Sequence, residues 1–282
     1  MDAGMFSHPA TQANLQTLEQ RGALFIGPEE GHLASGLVAK GRMTEPATIL
    51  EHVRYHFSRG GPLQGNKIIV TAGGTQEPLD PVRYLGNRSS GKQGFALARA
   101  ALDAGADVEL ISAPSQQKPP IGAEFTQIQT AEQMKNAVLD ACQQADALLM
   151  AAAVADFKPA RQREHKVKRS QGTPNFQLQP TVDILEAIRQ ERHQNGHPRL
   201  VVGFAAESDN LVANAQEKLG NKDLDMIAAN DISAADAGFD VDTNRVTLLY
   251  KDGEIEELPL MSKVDVAAEI IERITPLLAK GD

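Results

Sequence analysis

"KIIVTAGGT", residues 67–75, decides the fold. Ile68, Ile69, Val70 and Thr71 are all β-branched, the run is too short for a helix, and two glycines close it, so it reads as a buried strand. "FALARAALDAGA" (95–106) follows with helical spacing and a glycine near its stop, and "DVELISAP" (107–114) is strand-like and ends in proline. The alternation continues with a helix in 131–144, a buried strand in "DALLMAAAVAD" (146–156), a helix in 183–192 and the strand "RLVVGFAA" (199–206). A helix in 210–220 and the strand "LDMIAAND" (224–231) complete it. Strands alternating with helices imply parallel strands joined by helical crossovers. The predicted fold is therefore α/β, a doubly wound Rossmann-like, mostly parallel sheet. "NRVTLLYKDGEIEELPL" (244–260) predicts a C-terminal β-hairpin around a two-residue Asp252-Gly253 turn, and a helix over about 262–278 ends the chain.

The first sixty residues differ. "SHPATQANLQTLEQRGALFIGPEE" reads as helix then strand, and "GHLASGLVAKGRMTEP" is rich in glycine and poor in core residues. "HFSRGGPLQGNK" (56–67) has linker composition, which places a boundary near residue 62 and domains at 1–61 and 62–282. The first segment is too small to form a core of its own.

Composition narrows the function. A net charge of -9 over 282 residues argues against a broad nucleic-acid surface, which needs surplus Lys and Arg. The single cysteine, Cys142, excludes an internal disulfide and a multi-cysteine zinc site, and its apolar surroundings favour a buried side chain over a nucleophile. No apolar run reaches the roughly 18 residues that span a bilayer. The expectation is a soluble, cytoplasmic protein that binds no membrane and no nucleic acid.

"GNRSSGKQG" (86–94) almost spells a P-loop, with Gln93 where a Ser or Thr should ligate magnesium. Some fifteen residues separate it from the preceding predicted strand, so the strand-to-loop context of a P-loop fails as well. A dinucleotide fingerprint also fails, because the glycines are misspaced and the second strand ends in "LISAP" without a carboxylate. What remains is physical. Gly73, Gly74 and Thr75 let backbone approach a ligand at a strand's carboxyl end, and Asn87, Ser89, Ser90 and Gly91 stand ahead of a helix with donors for an anion. A turn and a cap without ligand is the alternative. "ADFKPARQREHKVKR" (155–169) clusters Lys158, Arg161, Arg163, Lys166, Lys168 and Arg169 in an acidic protein, either as a solvated loop or as a flap over a polyphosphate.

Taken in order, "TAGGTQEPLDPVRYLGNRSSGKQGFALA", "AAAVADFKP", "KVKR", "VVGFAAE" and "AANDIS" resemble the phosphopantothenate-cysteine ligase half of the bifunctional coenzyme A biosynthesis flavoprotein, over roughly residues 65–275. The resemblance implies that CTP activates 4'-phosphopantothenate as an acyl-cytidylate, that L-cysteine displaces CMP, and that magnesium takes part, with no metal ligands assigned. It implies that Gly73, Gly74 and Thr75 line the nucleotide phosphates, that Ala151 and Ala152 with Asp156 meet the cytidine portion, and that Met150 belongs to the nucleotide site. Thr181, Val182, Asp183, Ile184, Phe204, Lys218 and Lys222 match nucleotide-contacting positions. Val182 stands where the family usually has proline. Lys166 resembles the catalytic flap lysine, and Asn87 the residue that polarises the acyl carbonyl. Arg83, Ser89, Ser90 and Gly91 fall at phosphopantothenate contacts. For Phe204 a core aromatic, and for Lys218 and Lys222 a solvated helix face, are the bland readings.

The N-terminal arm resembles the end of the family's flavin-dependent decarboxylase half, whose catalytic and flavin-binding segments would lie upstream of Met1. Ser35 stands where many relatives carry a proton-donating cysteine, and a hydroxyl is a far weaker acid. Neither FMN nor decarboxylase activity is expected from this chain, which reads as a truncated bifunctional protein with a separate or missing decarboxylase domain. The resemblance further implies a homodimer. An NAD-dependent oxidoreductase and a non-catalytic remnant of the ligase are the competing functions.

Overall fold

The computed structural model describes residues 1–167, 175–207, 210–231 and 242–279. Lys168 and Arg169 of the basic cluster, and Ile232 and Ser233 of "AANDIS", lie outside them. The chain forms two compact units, Met1–Phe57 and Ser58–Asp282.

The first unit contains helices α1 (Ala3–Phe6) and α2 (Pro9–Gln20), an antiparallel hairpin of β1 (Glu29–His32) and β2 (Val38–Arg42), and α3 (Pro46–Ser58), which runs to its edge. The strand expected in "GALFIGPEE" begins only at Glu29, and the glycine-rich stretch after it forms the hairpin. No hydrophobic side chain of this unit is buried.

The second unit follows in chain order as β3 (Lys67–Ala72), β4 (Gln76–Pro78), β5 (Tyr84–Gly86), α4 (Lys92–Asp103), β6 (Asp107–Ser112), β7 (Glu124–Gln127), α5 (Ala131–Cys142) and β8 (Ala147–Met150). Next come β9 (Phe157–Pro159), β10 (Leu178–Pro180), α6 (Ile184–Asn195), β11 (Leu200–Glu207), α7 (Leu211–Asn221) and β12 (Met226–Asp231). The chain closes with β13 (Thr243–Asn244), β14 (Val246–Tyr250), β15 (Ile255–Glu257), β16 (Met261–Ser262) and α8 (Lys263–Ala279).

The central sheet has the order β15-β14-β12-β11-β8-β3-β6-β7. It is parallel from β12 to β7, and β14 and β15 extend it antiparallel. The doubly wound, mostly parallel architecture is thus present. The chain steps from β3 to β6 in one direction and from β7 back past β3 to β8 in the other. Right-handed crossovers then place α4 and α5 on opposite faces. The same reversal opens a crevice at the carboxyl ends of β3 and β8, where such sheets bind ligands.

Burial holds this frame. Ile68, Ile69, Leu148 and Leu149 are fully enclosed, and each such side chain contributes about 1.5–3 kcal/mol. Ile69, Leu148, Val201 and Ile227 share one cluster with Met134, Ile188 and Ala215 of α5, α6 and α7, while α4 packs on β3, β6 and α8. Cys142 belongs to that cluster, and burial pushes its thiol up to about 12, in keeping with a packing role. The β14–β15 turn differs from the two-residue expectation. Gly253 N donates to the Tyr250 carbonyl and Tyr250 N to that of Glu254, giving a three-residue loop with Gly253 left-handed at φ 94°. No helix among the described residues is long and apolar enough to cross a membrane.

Candidate active site

The strand expected over 146–156 ends at Met150. Beyond it, two buried threonines of the neighbouring chain path hold the backbone. Thr71 Oγ1 accepts from Ala152 N (3.1 Å) and donates to Met150 Sδ (3.3 Å), and Thr75 Oγ1 accepts from Ala155 N (2.9 Å). Gly74 pairs with Ala153 as a single parallel bridge, through Thr75 N to the Ala153 carbonyl (3.2 Å) and Ala153 N to that of Gly73 (2.8 Å). Thr75 is fully buried and Met150 is 6% exposed, so both side chains lie behind the surface at these strand ends. Gly73, Ala151 and Ala152 place a wall of backbone at the carboxyl ends of β3 and β8.

The 86–91 loop closes over this wall. Asn87 Nδ2 donates to the Val154 carbonyl (2.9 Å), leaving its second N–H for another acceptor. A Cβ on Gly74 would lie 2.6 Å from the Asn87 carbonyl oxygen and 3.3 Å from Ser89 Cβ, which is why this position takes glycine. Ser89 Oγ accepts from Gly91 N (3.3 Å), and the Ser90 carbonyl accepts from Ser115 Oγ (2.8 Å). Helix α4 starts at Lys92, three residues earlier than its periodicity suggested, with Gly91 as N-cap.

Lys92 and Gln93, at the end of the near-P-loop stretch, make structural contacts. Lys92 Nζ pairs with Asp242 (2.6 Å). Gln93 Nε2 donates to the Lys263 carbonyl (3.2 Å), and its Oε1 accepts from Asn244 Nδ2 (3.0 Å), fastening α4 to the start of α8. Gln93→Ala is expected to cost about 1–2 kcal/mol in a denaturant titration, because Asn244 loses its amide partner.

The β4–β5 hairpin grows from Thr75 and carries two buried carboxylates. Glu77 Oε1 accepts from Ala131 N (2.8 Å) at the N-terminus of α5. Asp80, 2% exposed, receives N–H groups of Val82 and Arg83 and the Arg83 guanidinium. Burial opposes its charge, but the Val82, Val167 and Arg83 donors outweigh this and bring its pKa down to about 2. Arg83, expected at a substrate contact, is bound to Asp80 at 2.7 Å and to the Val167 carbonyl at 2.6 Å. Lys166, next to Val167, is exposed. Val167 is therefore fixed to a residue six positions from Gly74, a separation of at most roughly 22 Å.

On the other side, Thr181 N donates to the Asp156 carbonyl (2.9 Å) and Thr181 Oγ1 to that of Ala155 (2.5 Å). Asp183 caps α6 through Glu186 N (3.0 Å) and pairs with Lys222 Nζ (2.5 Å). Burial again opposes its ionisation, yet the Lys222 contact, the Glu186 N–H and the fields of Lys222 and Lys218 hold its carboxyl below the usual range. Lys222 is thus an ion-pair partner rather than part of a solvated face. Ile184 is buried, Val182 packs on the same cluster, and Phe204 is half-buried on β11 beside Ala228 of β12.

The structure therefore joins Gly73, Gly74, Thr75, Asn87, Ser89, Ala151–Asp156 and Thr181 by direct contacts. Lys166 is tethered to them through the hairpin, and Asp183 and Lys222 adjoin through the turn after Thr181. Sequence reasoning passed over Glu77 and Asp80; an acid between Leu79 and Pro81, with Arg83 three residues on, was the available signal. Among the described residues no three His, Cys, Asp or Glu side chains gather to hold a metal ion.

Residues 63–277 match the family model described as DNA/pantothenate metabolism flavoprotein C-terminal domain. A Bacillus subtilis (strain 168) protein named coenzyme A biosynthesis bifunctional protein CoaBC is 44% identical over 98% of this chain and 68% of its own length. A protein from an unknown prokaryotic organism, named cysteine/cysteine sulfinic acid decarboxylase, is 41% identical over 99% of this chain and 78% of its own. The crystal structure of the C-terminal domain of a CoaBC protein superposes with a TM-score of 0.66 at 38% identity, covering 78% of this chain and 99% of that one. The resemblance read from the motifs holds at the level of the family. The chain is a member of the DNA/pantothenate metabolism flavoprotein C-terminal domain family.

Proposed function

We propose that this chain is a ligase of coenzyme A biosynthesis, joining 4'-phosphopantothenate to L-cysteine at the expense of CTP. The observation that carries the reading is the convergence of the Gly74 turn, the Asn87–Gly91 loop and the Ala151–Asp156 segment on the crevice between β3 and β8. The hairpin from the same turn holds the segment bearing Lys166. The name of the Bacillus subtilis relative supports the pathway. A nicotinamide reading gains nothing, because β6 ends at Ser112 with Ala113 and Pro114 after it and offers no carboxylate to a ribose. A decarboxylase reading finds Ser35, not a thiol, in the first unit.

In this reaction a carboxylate oxygen of phosphopantothenate attacks the α-phosphorus of CTP and pyrophosphate leaves. The cysteine amine then attacks the acyl carbon, the acyl C–O bond breaks, CMP departs with the former carboxylate oxygen, and the amine proton passes to solvent. Two anions must meet, so the site's work is proximity and countercharge. Lys166 supplies positive charge to the phosphates. The second Asn87 N–H polarises the acyl carbonyl, and Ser89, Ser90 and Gly91 at the start of α4 receive the phosphopantothenate end. Asp156, Thr181 and the Asp183–Lys222 pair border the nucleotide, with Lys218 beside them. Magnesium would neutralise charge on the triphosphate; with few protein ligands at hand it would arrive with the nucleotide and its waters. A cytoplasmic homodimer completes the reading.

The test is pyrophosphate release by the purified chain. Release should require CTP and phosphopantothenate together, and adding cysteine should yield an equal amount of amide. A folded sample that releases none under these conditions refutes the reading.

A further inference from the structure

Asp80 divides its two oxygens between local and distant tasks. Oδ1 accepts from Val82 N and Arg83 N, both at 2.9 Å, and so builds the hairpin tip. Oδ2 accepts from Arg83 Nε (3.0 Å) and from Val167 N (3.2 Å), eighty-seven residues away. Arg83 Nη2 donates onward to the Val167 carbonyl (2.6 Å), so one ion pair engages both polar groups of Val167. Arg163 N adds a bond to the Leu79 carbonyl (3.0 Å), making three points of attachment between the tip and residues 163–167. A turn alone needs only Oδ1 and can stay solvated. Enclosing a carboxylate and fully pairing its second oxygen is costly unless the distant segment must be held. The hairpin can bear this load, because Thr75 roots it in the sheet and Glu77 ties it to α5.

We propose that Asp80 is a positioning residue: with Arg83 it clamps Val167 and thereby sets where the adjacent Lys166 ammonium stands relative to the Gly74 turn. The assignment rests on the ligase reading for its purpose, though not for its geometry. Asp80 touches no reacting atom and acts through Lys166.

Asp80→Asn separates the two tasks. The amide oxygen can still build the turn, while the amide nitrogen faces the Arg83 and Val167 donors and cannot accept from them. Trypsin cleavage of the native protein after Arg163 and Lys166 should accelerate by about tenfold or more, since a segment released from its bonds opens locally. Turnover should fall by about 10- to 100-fold, as for a misplaced catalytic group, with KM for CTP within about twofold of the parent because nucleotide binding is not the clamp's task. In a Lys166→Gln background the same substitution should remove little further activity, whereas independent sites would add. If Asp80→Asn does not fold, Arg83→Lys keeps the charge, loses the planar fork and gives the same readouts. Unchanged cleavage overturns the clamp. Faster cleavage with unchanged turnover, or a loss that adds in full to that of Lys166→Gln, overturns positioning through Lys166. Should the parent show no ligase turnover, the ligase reading fails, and the cleavage rates alone still decide whether the clamp exists.

Discussion

Lys166→Gln should lower the rate of amide formation by about 10²–10³-fold, the usual effect of deleting one donor from a site that stabilises developing charge. The side chain is exposed, so stability should change by no more than about 0.5 kcal/mol. Steady-state rates alongside denaturant titrations separate the two effects. A kcat near that of the parent would remove this lysine from the chemistry and return the basic run 155–169 to the solvated-loop reading. A large loss of stability would instead mean that the ammonium props up the segment around it.

Gly74→Ala should be comparably damaging for a steric reason. The new methyl would lie 2.6 Å from the Asn87 carbonyl oxygen, a backbone atom that cannot swing aside as a flexible side chain could. The 86–91 loop must retreat, carrying the Asn87 amide away from Val154 and the α4 start away from the Gly74 turn. A loss of about 100-fold in turnover is expected from such displacement, together with about 1–3 kcal/mol of stability from overpacking. Gly60→Ala, where nothing lies within 4 Å of the added carbon, serves as the control and should leave the rate unaltered. Full activity in Gly74→Ala would show that the close approach of the two loops is not required.

The alternation of apolar runs and helical spacing after Lys67 was enough to read β3, β6, β8, β11 and β12, because these strands are largely buried and their pattern is local, whereas the mostly exposed β7 gave no such signal. Legibility failed where contacts between distant residues decided the outcome. Residues 146–156 look like one apolar strand, yet the strand ends at Met150, and beyond it the hydroxyls of Thr71 and Thr75, some eighty positions earlier, accept from Ala152 N and Ala155 N. The hairpin over 29–42 was read as irregular because its strands contain glycine, lysine and arginine and few β-branched residues. The turn at Lys251–Gly253 kept its Asp-Gly signal, but Gly253 fills the left-handed place of a three-residue loop. Asp80 was passed over because its partner Val167 N lies eighty-seven positions away. Gly74 was legible as a point of close backbone approach, since a Cβ there would lie 2.6 Å from the Asn87 carbonyl oxygen. Gln93 was legible only as a misfit, since its partners Asn244 and Lys263 lie some 150 and 170 residues away.

The central claim is that a substrate carboxylate is activated on the α-phosphorus of a nucleotide in the crevice between β3 and β8. Phosphopantothenate labelled with oxygen-18 in its carboxylate, turned over with CTP and cysteine, tests it most directly by mass spectrometry of the nucleotide product. An acyl-cytidylate route transfers one labelled oxygen to the phosphate of CMP. Label found in inorganic phosphate beside CDP, or in neither nucleotide nor phosphate, would contradict it.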